Sequence, residues 1–168
     1  RQLDLLISIA QVILCEVTRV KAGFWLCEEK LNLYSKIVLR QTQKGMLVNN
    51  KYDCSGVDEN GSTWSTTGFV IESEEDASKH YLFFIEGPIL SISQYTDVFS
   101  VLRKATEDDV VELSVTSGGG DLFVSEVFSN ELARCEAHIH FVVDAELASG
   151  ATTWLMRADS YEIDDNAS

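Results

Sequence analysis

The chain has 168 residues, 45% of them hydrophobic and 24% charged, with a formal net charge of −14. That length supports one domain with a real hydrophobic core, and the composition is ordinary for a globular protein. The charge is uneven: residues 1–80 hold 9 Lys/Arg against 11 Asp/Glu, a balance of −2, and residues 81–168 hold 4 against 16, a balance of −12. A field of that sign repels phosphate backbones and excludes nucleic acid as a partner of the second half. No apolar run reaches the roughly 18 residues that a bilayer-crossing helix needs, so no membrane partner is expected.

From the first residue, Leu3, Leu6, Ile9, Ala10, Ile13 and Leu14 fall on one helical face. The stretch Leu3–Leu14 is interrupted by Asp4, Ser8 and Gln11 and has no basic leader, so it reads as a one-sided helix rather than a signal peptide. A second helical spacing runs through Leu31, Tyr34, Ile37 and Val38. Residues 1–48 are thus expected to form a helical N-terminal region. The four cysteines, Cys15, Cys27, Cys54 and Cys135, form no CxxC pair. Reduced, mostly buried thiols and a cytoplasmic location are expected on that basis. The start at Arg1 and the stop at Asp-Asp-Asn-Ala-Ser suggest an incomplete chain.

Residues 49–80 change character. Asn49-Asn50, Ser55-Gly56, Asn60-Gly61-Ser62 and the acidic run Glu72–Asp76 predict a loop-rich connector around one short strand, Gly68–Ile71. From Tyr81 strands and helices alternate. Strands are expected at Tyr81–Glu86, Val110–Val115, Ile139–Val143 and Ser160–Ile163. Helices are expected from Ser91 or Ser93 to about Ala105, from about Leu122 to Cys135, and near Ser149–Arg157. Units of this length imply an α/β fold with a mostly parallel sheet covered by helices over 81–168.

Two strand-to-helix junctions stand out. Gly118-Gly119-Gly120 gives a backbone free to take positive φ, with N–H groups near a helix start; it reads either as a flexible turn or as a cradle for an anion or oxyanion. No lysine follows, and Asp121 disfavours a phosphate loop. The second junction, Ala148-Ser149-Gly150-Ala151, places a hydroxyl at the carboxyl end of the sheet. Spacing alone fits a helix N-cap there, and the flanking glycines of the hydrolase elbow are absent. His138 and His140 alternate along one strand and share a face, but no carboxylate or cysteine at matching spacing completes a metal set, so no metal and no cofactor are expected. They read as strand residues hydrogen-bonded at a subunit contact.

In the order Ile85-Glu86-Gly87-Pro88-Ile89, Gln94-Tyr95, Leu102-Arg103-Lys104-Ala105-Thr106, Val115-Thr116-Ser117-Gly118-Gly119-Gly120, Leu147-Ala148-Ser149-Gly150-Ala151 and Ala158-Asp159, residues 81–168 resemble the proteolytic subunit of Clp-type serine proteases, bacteriophage versions above all. The resemblance implies the repeated spiral core shared by that family and the crotonases. It implies Ser149 as the nucleophile and the backbone N–H groups of Gly120 and Gly150 as the oxyanion hole. Ser117, Gly118 and Gly119 become a substrate-binding loop that pairs an extended peptide. It further implies peptide or protein substrates, a homo-oligomeric ring, and an AAA+ unfoldase or phage capsid proteins as partners. The family's general-base histidine is expected a few residues beyond Ser168, with its aspartate further on. Gly118 stands where the family has proline, which is expected to loosen the loop. The function so implied is a serine endopeptidase working through an acyl-enzyme. The alternative is an inactive relative that serves in assembly or protein interaction, and a third reading is a crotonase-like acyl-CoA enzyme.

Overall fold

The computed structural model describes residues 46–73 and 77–168, and the expected helices before residue 46, with Cys15 and Cys27, lie outside the described residues. A six-stranded mixed sheet organises the described chain, and its strand order is the order of the sequence. Strands β1 (Met46–Val57) and β2 (Thr63–Ser73) form an antiparallel hairpin, and β2 pairs antiparallel with β3 (Lys79–Glu86). From there the sheet is parallel through β4 (Val110–Ser117), β5 (His138–Leu147) and β6 (Ser160–Ile163). The crossovers carry α1 (Thr96–Leu102), preceded by a 3-10 turn at Ile92–Tyr95, then α2 (Leu122–Leu132), then α3 (Thr152–Leu155) after a 3-10 turn at Ser149–Ala151. The α/β class expected from the strand–helix alternation is what the structure has.

Residues 49–80 depart from the expectation. They are no loop-rich connector: β1 and β2 are long paired strands, and both belong with β3–β6 to one unit, Gly45–Ser168. Strand structure also begins at Met46, inside the segment 1–48 expected to be helical. The physical reason lies in the partners. In β2 the residues Thr66, Gly68 and Val70 alternate as buried positions, and a Cβ on Gly68 would collide with the ring of Phe83 on β3. Glycine is unfavourable in an isolated strand but is required where an aromatic ring lies flat on the backbone.

A strand order that moves one way, with crossovers of one hand, puts every helix on the same face. The core obeys that rule. Phe83 and Ile85 of β3, Val111, Leu113 and Val115 of β4, and Ile139, Phe141 and Val143 of β5 pack with Val98, Phe99, Leu102, Val124, Phe128, Leu132, Ala151 and Trp154 in one buried cluster. The intervening residues of the same strands, among them His80, Leu82, Glu112 and His140, face the other way. Cys54 and Cys135 are free and half-buried, and burial pushes the Cys135 thiol up, which keeps it protonated and unreactive.

Candidate active site

Strands β4 and β5 end side by side, with Ser117 opposite Leu147, so the glycine segment and the Ser149 segment leave the sheet as neighbours. The Ala148 N–H donates to the Ser117 carbonyl at 2.9 Å. The glycine segment is tied down rather than loose. Ser117 is buried; its hydroxyl donates to the Gly87 carbonyl at 2.7 Å and accepts from the Gly119 N–H at 3.1 Å. The Ile89 N–H donates to the Gly119 carbonyl at 3.0 Å, and the Asp121 N–H donates back to the Ile89 carbonyl at 2.8 Å. Gly118 does not loosen this loop, because the restraint comes from Ser117 and Ile89. Ser117 and Gly119 are buried members of the scaffold, and Gly118 and Gly120 are exposed.

Glycine is obligatory at two of these positions. Gly119 has φ +90°, and a Cβ there would stand 2.6 Å from Ser149 Cβ and 2.7 Å from the Ala148 carbonyl oxygen. Gly120 has φ +153°, and a Cβ there would collide with the Ile89 carbonyl. Side chains avoid both the torsions and the spaces.

Ser149 is exposed and has φ +52°, left-handed backbone at a non-glycine residue. It is not an N-cap. The N-cap of the 3-10 turn is Ala148, in extended backbone, and no side chain caps the turn. The residues after it anchor the junction. The Thr152 hydroxyl donates to the Ser149 carbonyl at 2.6 Å and the Thr153 hydroxyl to the Gly150 carbonyl at 2.7 Å. Trp154 is fully buried, its indole N–H donates to the Ser125 carbonyl at 3.0 Å, and its ring stacks on Phe128 at 4.1 Å between centroids. Among the described residues the N–H groups of Gly120 and Gly150 meet no acceptor. Beside Gly150, a cleft of about 430 Å³ runs between α2 and α3, lined by Leu122, Ser125, Thr153, Met156 and Arg157.

No histidine joins Ser149. His80 and His138 lie on either side of Val110 at the amino ends of their strands, and His140 is opposite Ser160. From His140 to Leu147 the neighbouring β4 advances five residues, Glu112 to Ser117, so at about 3.3 Å of rise per residue roughly 17 Å of strand separates that histidine from the strand end that delivers the serine. His138 and His140 are hydrogen-bonded within the chain, both to the Ser160 hydroxyl, where the sequence pattern led us to expect a subunit contact.

Neither a family model nor a curated protein matches this chain.

Sequence reasoning singled out Ser149, Gly120 and Gly150 as candidates, and it missed two residues that hold their segments in place. Ile89 was legible only as the residue after the single proline, and nothing local marks it as the strap of the glycine loop. Trp154 carries a signal, a large aromatic shortly after a run of small residues, that points to an anchored helix without saying what it anchors.

Proposed function

We propose that the chain carries the nucleophile half of a Clp-type serine peptidase site, with Ser149 attacking the scissile carbonyl of a peptide. The observation that carries this reading is the left-handed, exposed Ser149 set against Gly119. Strained backbone at a strand-to-helix turn presents a serine hydroxyl outward, as nucleophile elbows do. The Gly120 and Gly150 N–H groups, on the two segments that meet there, are the oxyanion donors of this reading. In the reaction Ser149 Oγ bonds to the carbonyl carbon, its proton passes to a base, and the amine leaves with a proton from that base. Water then releases the acyl group. The cleft beside Gly150, with Leu122 and Met156 on its exposed lips, offers room for a substrate side chain.

The finer fold belongs to the same proposal: a Clp- and crotonase-type spiral core preceded by a helical N-terminal region. A sheet ordered as the chain, with all helices on one face, supports it. The base of this reading comes from outside residues 1–168. The Ser168 N–H donates to the Ala145 carbonyl at 2.7 Å, and the Leu147 N–H donates to the Ser168 carbonyl at 3.1 Å. Residue 168 therefore lies beside the strand end that delivers Ser149, and a histidine shortly after it would approach the hydroxyl. A homo-oligomeric ring, an AAA+ unfoldase or phage capsid partner and a cytoplasmic setting remain part of the family reading.

The distance of all three histidines from Ser149 favours a second reading, an inactive relative used in assembly or protein interaction. Fluorophosphonate labelling with peptide mapping separates the two. Modification at Ser149, absent in Ser149→Ala, is the expected result. In the protein that carries the residues supplying the base, a folded chain whose Ser149 stays unmodified in every oligomeric state removes the peptidase reading and leaves the interaction protein.

A further inference from the structure

All three histidines of the chain face away from α1–α3, near the amino ends of β3 and β5. His80 is accounted for by Glu112, whose carboxylate is 3.0 Å from its Nε2. The other two converge on one atom. His138 Nε2 is 2.7 Å and His140 Nδ1 is 2.8 Å from the Ser160 hydroxyl oxygen. A hydroxyl has a single proton to give, so one ring accepts it while the other must donate its own N–H to the same oxygen. Two nitrogens aimed at a common point from an i, i+2 pair on one strand face form a chelating geometry.

We propose that His138 and His140, with the Ser160 hydroxyl, bind a divalent transition-metal ion of the Zn²⁺ or Ni²⁺ class at the β5–β6 edge. Imidazole donors select these ions over Mg²⁺ and Ca²⁺, which take oxygen ligands. With bonds of ~2.0–2.1 Å, neighbouring ligands of a tetrahedral ion stand about 3.3–3.4 Å apart, so each nitrogen must open from the Ser160 oxygen by about 0.6 Å to admit the ion. Among the described residues no three His, Cys, Asp or Glu side chains converge on a metal position. The ion is therefore held by two nitrogens and one hydroxyl, with water completing its shell. Such a site is open and of modest affinity. Two carboxylates on the same sheet face raise its attraction for a cation: Glu112, opposite His140, and Glu162, opposite Val142. His138 is exposed, so solvent reaches the site. Bound there, the ion ties β5 to the four-residue edge strand β6.

Titration of the full chain with Ni²⁺ under reducing conditions, read by calorimetry and by the thermal midpoint, tests the proposal without reference to Ser149. The expected result is one ion per chain with a Kd below about 1 mM and a midpoint that rises with Ni²⁺ concentration. His138→Gln and His140→Gln keep a hydrogen-bonding side chain at each position, and each should weaken binding at least about tenfold, the loss typical even for the partners that orient a metal ligand. Ser160→Ala should retain binding within that factor, and His80→Ala should leave it unchanged. Acidification should release the ion, since imidazole ligands must be free of their protons. Absence of binding up to about 1 mM overturns the site, and so does binding that survives the His138→Gln/His140→Gln double variant.

Discussion

Left-handed backbone is unfavourable by about 1–2 kcal/mol at any residue with a Cβ, and Ser149 accepts that penalty at an exposed position. A capping residue has no reason to do so. Asp121, the true N-cap of α2, sits in extended backbone with its carboxylate accepting from the Val124 N–H at 2.9 Å. The contrast predicts an order of stabilities. Ser149→Gly should be more stable than Ser149→Ala by about 1 kcal/mol in urea unfolding, because alanine keeps the strained torsion and glycine does not. Equal stabilities, or alanine ahead, would mean that the turn relaxes and stores no strain. The position of Ser149 was legible in its small neighbours, but its torsion was not, because the torsion depends on Gly119, thirty residues earlier in the chain. The three glycines look alike in sequence and differ in role. Gly119 yields to Ser149, Gly120 yields to Ile89, and Gly118 faces the Glu146 carboxylate, 3.2 Å from where its Cβ would be.

At the scale of elements, α1 and α2 are joined outside the apolar core by one charged contact. The Arg103 guanidinium donates from Nε and Nη2 to the two oxygens of Glu131, both at 2.7 Å, while Arg134 stands 3.7 Å away. Glu131 is buried, and the hydrogen bonds from Arg103 hold its carboxyl below the usual carboxylate range. A depressed folded-state value means stability that is present above the unfolded carboxyl pKa and is lost as pH falls through the lower folded value. Arg103→Ala should therefore lower stability at neutral pH, because it strips the Glu131 carboxylate of its two closest donors. The difference from wild type should stay constant from about pH 8 to pH 5 and shrink below about pH 4. Denaturant midpoints across that range check it, and a difference that widens in acid would refute the assignment. The same scale shows where sequence reading fell short. The helices and β3–β6 were legible because apolar runs and turn residues alternate there. The hairpin β1–β2 was not, because its Asn, Ser and Gly residues signal turns, and its pairing with β3 rests on aromatic rings such as Phe83 that come later in the chain.

The whole described molecule separates its chemistry along the strands. The carboxyl ends of β4 and β5 hold Ser149 and the glycine loop, while the amino ends hold the histidines and a polar clamp around Asp109. That aspartate is buried, accepts from the Lys79 and Thr106 N–H groups, each at 2.8 Å, and from the Thr106 hydroxyl at 3.1 Å. Its own carbonyl accepts the His138 N–H at 3.1 Å, so β3, β4 and β5 are tied together where they begin. Because strand order matches chain order, each strand pairs only with its sequence neighbours, and cooperativity must pass through the middle of the sheet. The central strands β3, β4 and β5 have partners on both sides and carry the buried cluster. The last strand, β6, has four residues and exposes Tyr161 and Ile163. Native-state hydrogen exchange should therefore rank the amides of Val111, Leu113, Val115 and Phe141 at or near the global unfolding free energy, and those of Tyr161 and Ile163 well below it. Exchange of β6 as slow as that of β4 would contradict an edge held mainly by its single ladder with β5. The rank also bears on the serine. The path through residue 168 to the side of Leu147 starts from β6, so opening of that strand would remove the support beside Ser149 before the core gives way.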